Sequence, residues 1–314
     1  MLLSEAIEAL TTATIADGRS LATAEGYRSK LAQLVAFLGD VPIDQVTVTD
    51  LRRFASDLRF RDMRYAQTTA RPTIAGGLSM ATIASHVRSF KRLFKWLHEE
   101  GLIASNPALR IKQPKVPRGE PKAYAIEDLQ RLLQATAGSE PVDLRNRAMI
   151  LFLADTGCRV AGLAGLQVAD LDMTKQIAKV TEKGSKTRKV PFSEPTRAAL
   201  AAWLAIRPSE TAHVWTGAAR SSKPYLDTEG IRQMLRRLAR KAGVTGPVNP
   251  HSFRHAFARE YLLSGGDLAT LADLLGHSDV QVTWQSYAIF RTSELQAKHD
   301  KHSPIAQMGR KGEL

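Results

Sequence analysis

Residues 249–258 read NPHSFRHAFA. Asn249-Pro250 is a helix start, because proline at the first helical position gives up an N–H that would have no partner anyway. Such a helix carries His251 and Arg254, three residues apart, on one face. His255 follows His251 at the spacing of a zinc-binding HExxH helix, but Ser252 stands where that motif has its glutamate. The chain has a single cysteine, Cys158, and offers no obvious third ligand. No metal is expected there.

Three more segments lie around this one. Upstream, TGCRVAGLAGL (156–166) centres on Arg159 and follows an apolar helix that includes Ala148–Ala154. Between the two, QIAKVTEKGSKTRKVPF (176–192) changes period, and two short extended stretches flank Lys183-Gly184-Ser185-Lys186 as a β-hairpin. Downstream, LLGHSDVQVTWQSYAIF (274–290) carries His277 and then Tyr287. Taken singly, each has an ordinary explanation. An arginine after a Thr-Gly turn is usually a salt-bridge partner, a lysine in a hairpin turn is usually solvated, and a tyrosine ending an apolar segment is usually core. Together they supply what metal-free phosphodiester cleavage requires. Arginine forks bind non-bridging phosphate oxygens and neutralise the charge of the transition state. A histidine can move the proton of a phenol whose ordinary pKa near 10 makes it a poor nucleophile. A lysine can protonate the departing sugar oxygen. A tyrosine that attacks phosphorus conserves the bond as a covalent ester, so resealing needs neither ATP nor another cofactor.

These four segments, in this order, resemble the boxes of the tyrosine recombinase (phage integrase) family, including its Xer-type members. The resemblance implies a mainly α fold with a small β-sheet or hairpin in the catalytic domain, and two domains closing as a C-shaped clamp on DNA. It implies that Arg159 and Arg254 hold the scissile phosphate and that Lys183 is the general acid, with Lys186 as a stand-in. By the same resemblance His251 transfers a proton, His277 supports the phosphate, and Tyr287 attacks to form a 3′-phosphotyrosyl link. Strand exchange in such enzymes passes through a Holliday junction in a homo-tetramer on paired double-stranded sites. Two departures stand out. Members usually carry an acid three residues after the first arginine, where this chain has Gly162, and the commoner nucleophile position falls on Ser286. Tyr287 is the only tyrosine after Tyr261 and is the residue assigned. The alternatives are a relative that binds DNA without cutting it and a type IB topoisomerase.

The rest of the chain fits that frame. Residues 110–122 (RIKQPKVPRGEPK) hold three prolines and five basic residues against one acid, a stiff basic linker. The expected organisation is an N-terminal arm or short helix over 1–20, a helical DNA-binding domain over 21–109 and the linker over 110–122. A catalytic domain over 123–298 and a tail over 299–314 complete it. In the first half, residues 61–79 read as a long loop, and Thr49 or Asp50 as the cap of a helix running to Leu58. Ile83, Val87, Phe90, Phe94 and Leu97 then line one helical face that ends at Gly101. Arg88, Lys91, Arg92 and Lys95 form a basic stripe beside it, and Arg232, Arg236, Arg237 and Arg240 form another over Ile231–Ala242. Both stripes are candidate DNA contacts.

Charge agrees. The 314 residues contain 44 Lys and Arg against 31 Asp and Glu, a net +13. An excess of that size suits a polyanion, because cationic side chains displace counterions from phosphates. The lone cysteine excludes an internal disulfide, no apolar run approaches a membrane span, and the N-terminus lacks the features of a signal peptide. A cytoplasmic, nucleoid-associated protein with no membrane partner is expected.

Overall fold

The computed structural model describes residues 1–64, 73–117, 123–182, 187–217, 224–276 and 280–287, with isolated positions between 296 and 308. The chain divides into two compact units, Met1–Gly119 and Glu120–Leu314, each with its own apolar core. Among the described residues no helix is long and apolar enough to cross a membrane.

The first unit is built on four helices: α1 (Leu3–Ala16), α2 (Leu21–Leu38), α3 (Val48–Phe60) and α4 (Met80–Glu99). On α1, Leu3, Ala6, Ile7 and Leu10 recur at helical spacing and are all buried, so this helix is part of the core. The start of α3 lies earlier than the sequence suggests. Thr47 caps it, accepting from the Asp50 N–H at 3.2 Å while the Asp50 carboxylate accepts the Thr47 N–H at 3.0 Å. This reciprocal pair satisfies two otherwise free donors, which Thr49 could not do from inside the helix. Ser79 caps α4, and the apolar face from Ile83 to Leu97 is buried as its period requires. Within 61–79, read from sequence as a loop, β1 (Met63–Arg64) and β2 (Ile74–Ala75) form a short antiparallel pair. Two-residue strands are too short to show an alternation in the sequence.

The second unit is helical around one small sheet. Its elements are α5 (Ile126–Gln134), α6 (Pro141–Thr156), α7 (Val160–Ala164), β3 (Leu171–Asp172), β4 (Ile177–Thr181), β5 (Thr187–Pro191), α8 (Glu194–Ile206), α9 (Thr228–Lys241), α10 (Pro250–Leu263), α11 (Leu268–Leu275) and α12 (Val280–Tyr287). The sheet is antiparallel in the order β3-β4-β5, with Val180 opposite Arg188 and Thr181 opposite Thr187. Alternate positions on β4 and β5 face inward, so Ala178, Val180, Val190 and Phe192 join Phe152, Trp215, Leu235 and Phe253 in the core. Helix α6 runs through this unit, flanked by α8 and α10, and α11 and α12 pack beside α10. The fold is mainly α with a small sheet in the second unit, as the resemblance implies.

Candidate active site

The site begins where α6 stops. Gly157 ends that helix with φ +55°, a left-handed conformation that favours glycine, and a Cβ there would lie 2.7 Å from the Phe257 ring. Glycine is thus required twice over, by backbone angle and by space. The turn exposes the Gly157 carbonyl to Arg254, whose Nη1 donates to it at 2.9 Å. Nη2 of the same guanidinium donates to the Leu275 carbonyl at 2.7 Å. Arg254 is only 2% exposed, so these bonds fix the plane of a buried cation at the meeting point of α6, α10 and α11. Helix α10 holds the arginine from its own start. The Asn249 side chain accepts the N–H groups of His251 and Ser252, and Ser252 Oγ accepts the Asn249 N–H, with Pro250 in the first turn.

Two residues beyond Gly157, Arg159 meets Glu182, which directly follows β4. The Arg159 N–H donates to Glu182 Oε1 at 2.9 Å, and its guanidinium pairs with Oε2. Arg188 Nη2 reaches Oε1 at 3.1 Å, and Arg188 Nη1 donates to the Leu274 carbonyl. The carboxylate is therefore the hub of a network joining the Arg159 turn, both hairpin strands and the end of α11. Burial alone would push the Glu182 carboxyl up. The Arg159 N–H and the Arg188 and Arg159 charges outweigh burial and hold it below the usual glutamate value.

His251 sits at the exposed mouth of this arrangement, its ring edge-on to His255 with centroids 4.1 Å apart. Partial burial, followed by the charges of Arg254 and Arg159, lowers the His251 pKa. A neutral imidazole beside two cations is a proton acceptor at neutral pH. His255 is lowered further, to about 4, by burial and then by His251 and Arg254. Cys158 lies under the same turn with its thiol pushed up to about 11 by burial, which makes it an inert core residue.

Of the residues expected from sequence, the structure brings Arg159, His251 and Arg254 together. Tyr287 is the last residue of α12, a helix packed against α11 and α10. Lys183, Lys186 and His277 lie outside the described residues. On α4, Arg88 and Lys95 are exposed, Lys91 donates to the Ile111 carbonyl, and Arg92 and Lys95 approach Glu99 at 3.7 and 3.4 Å. On α9, Arg232, Arg236, Arg237 and Arg240 all face solvent, opposite buried Ile231, Met234, Leu235 and Leu238.

Sequence reasoning missed Glu182 and Arg188. The signal was present in the strand alternation. Counting inward positions from Ala178 and Val180 lands on Glu182, and counting back from Phe192 and Val190 lands on Arg188. A charge in an inward register demands a buried partner.

Two arginines held by backbone carbonyls and a buried carboxylate, with a neutral histidine beside them, make a site for an oxyanion of phosphorus. Comparison with known proteins gives the class. Residues 124–293 match the model described as "Phage integrase family". Tyrosine recombinase XerC of Alcanivorax borkumensis is 33% identical over 288 residues, covering 91% of this chain and 89% of its own length. Tyrosine recombinase XerC of Mycobacterium tuberculosis is 31% identical over 300 residues, with coverage of 92% and 95%. The crystal structure of XerA recombinase matches at 26% identity with a TM-score of 0.52, covering 96% of this chain and 98% of that one. The Tn1549 transposon integrase, solved with transposon right-end DNA, shares the fold at 20% identity with a TM-score of 0.72, covering 96% and 99%. The chain belongs to the phage integrase family and is a tyrosine-type site-specific DNA recombinase.

Proposed function

We propose that this recombinase cuts and rejoins double-stranded DNA through a 3′-phosphotyrosyl link on Tyr287, with exchange through a Holliday junction in a homo-tetramer on paired sites. The observation that carries the reading is the convergence of Arg159, Arg254 and His251, where the histidine is held neutral by burial and by the two arginine charges. In this reading Arg159 and Arg254 take the non-bridging oxygens of the scissile phosphate and neutralise charge as it builds. His251 accepts the Tyr287 phenol proton as the tyrosyl oxygen bonds to phosphorus. The phosphorus–O5′ bond breaks, and Lys183, or Lys186 in its place, protonates the leaving oxygen. His277 supports the phosphate. The reverse sequence, with a 5′-hydroxyl from the partner strand, reseals the DNA without metal or ATP.

The exposed arginines of α9 and the basic face of α4 meet the phosphate backbone. The linker crosses the duplex so that the two units clamp it. The work takes place in the cytoplasm, at the nucleoid. Residues 299–314 dock on a neighbouring protomer, so deleting them should weaken assembly on paired sites. Unchanged assembly would remove that contact from the scheme.

Covalent trapping tests the chemistry. A nicked duplex carrying a candidate site from DNA flanking the gene is incubated with the protein without metal or ATP, then denatured. An adduct that survives denaturation, persists in Ser286→Ala and disappears in Tyr287→Phe is the expected result. Tight specific binding without an adduct would make the chain a DNA-binding relative that does not cut.

A further inference from the structure

A buried carboxylate beside a phosphate-binding arginine is an unusual expense, because it opposes the anion the arginine is there to hold. Glu182 is 7% exposed and receives three donor groups: the Arg159 N–H, the Arg159 guanidinium and the Arg188 guanidinium. Its location is matched by a gap on the facing helix. Gly162, on α7, is buried, and a Cβ built there would stand 3.3 Å from Glu182 Cγ and 3.3 Å from Val180 Cβ. A side chain at 162 would press on Glu182, which would have to give by a few tenths of an ångström to admit even a Cβ. The far end of the network is just as tight. A Cβ at Gly276, which closes α11 at φ +67°, would fall 2.7 Å from Arg188 Cδ. Arg188 is thus threaded between a glycine and the Leu274 carbonyl, with its other end on the carboxylate.

We infer that Glu182 is the positioning residue for Arg159, a carboxylate delivered from the hairpin strand into the space that Gly162 leaves open. The inference rests on the proposed role of Arg159 as a phosphate ligand and adds what aims it. One carboxylate oxygen takes the Arg159 N–H and the other takes its guanidinium, so backbone and side chain are locked against one group. Through Arg188 the same carboxylate ties the hairpin to Leu274 at the end of α11, three residues before His277. An acid placed at 162 instead would approach the same guanidinium from the helix side, because its Cβ would lie against the present Glu182 side chain.

The test compares the unaltered chain with Glu182→Gln, Gly162→Glu and the double exchange Gly162→Glu/Glu182→Gly. On the DNA-free protein, phenylglyoxal modification of Arg159 is followed by mass spectrometry, with exposed Arg52 as the internal reference. Arg159 should react several-fold faster in Glu182→Gln and return towards the original rate in the double exchange. On the nicked duplex, single-turnover adduct formation should fall roughly 10- to 100-fold in each single variant, with duplex affinity unchanged, and recover in the double exchange. Rescue by relocating the acid separates aiming from mere folding. Should Glu182→Gln not fold, Glu182→Asp, with its shorter reach, carries the same expectation. Unchanged Arg159 reactivity in the folded variant overturns the inference whether or not the chain cuts the probe. Failure of the unaltered chain to form an adduct overturns the proposed reaction, and the reactivity of Arg159 then judges Glu182 by itself.

Discussion

Arg254 holds two backbone carbonyls at once, and the two roles that follow can be separated by substitution. Arg254→Ala leaves the Gly157 and Leu275 oxygens without this donor in a buried place, at about 1–3 kcal/mol for each carbonyl that finds no substitute. Arg254→Lys keeps the charge but offers a point donor in place of a fork, so it cannot span both oxygens. Urea unfolding should rank the unaltered chain above Lys and Lys above Ala, while adduct formation is lost in both. A lysine variant that cleaves normally would sink the clamp role. His255 supplies a pH signature. Its folded value of about 4 lies below the ordinary 6.5, so between those values the unfolded chain binds more protons. Stability from this group is therefore whole above pH 6.5 and drains away as the pH falls towards 4. His255→Gln should narrow the gap between unfolding at pH 7 and pH 5 by on the order of 1–2 kcal/mol. Equal losses in both proteins would show that the ring is not the group responsible. His251 and Arg254 could be read as neighbours because residues three apart share one helix face, whereas Arg159, 92 residues earlier, was joined to them only by the resemblance of its box. Glu182 was hidden because its partner is Arg159, 23 residues away, and its position beside a lysine-bearing turn drew the reading to the turn.

Helices and strands were legible where their period ran long enough. The face from Ile83 to Leu97 on α4 and the four apolar positions of α9 both came through. The same rule, applied to Leu3, Ala6, Ile7 and Leu10, reveals α1 as a core helix, where the sequence left an arm or a short helix open. At α3 the sequence offered Thr49 or Asp50 as the cap, and the reciprocal bond between Thr47 and Asp50 puts it at Thr47 instead. Thr47→Ala should lower the stability of the first unit by about 1 kcal/mol, read from its unfolding midpoint. Helix α9 allows a sharper electrostatic prediction than its charge count does. Glu229 approaches Arg232 at 3.6 Å and Arg236 at 2.5 Å, so those two cations are already partly neutralised. Substituting Arg237 or Arg240 by glutamine should lower the log–log salt slope of duplex binding by about 0.9 each. Arg232→Gln and Arg236→Gln should lower it less, and Glu229→Gln should raise it. Identical slopes across the set would return α9 to the role of a solvated surface.

On the scale of the whole chain, the positive charge is shared. Met1–Gly119 holds 17 Lys and Arg against 11 Asp and Glu, and Glu120–Leu314 holds 27 against 20. Four of the six net positive charges of the first unit fall on the linker itself, at Arg110, Lys112, Lys115 and Arg118, so any hold of that unit on DNA would draw on the linker and the α4 stripe. If both units contact phosphates, the two fragments, made separately, should each fold around their own core and each bind non-specific duplex with a shallower salt slope than the intact chain. The intact slope should approach the sum of the two, because counterions are released at every phosphate neutralised. Affinity should gain more than either fragment suggests. Once one unit is bound, the linker presents the other at high effective concentration, an advantage of roughly 10²–10⁴ when the span fits. Titrating a duplex of random sequence at several salt concentrations with the two fragments and the intact chain decides the matter. An intact slope equal to that of one fragment would mean that only that unit touches the backbone. The clamp would then be wrong even if Tyr287 cuts, because closure around DNA requires phosphate contacts from both units.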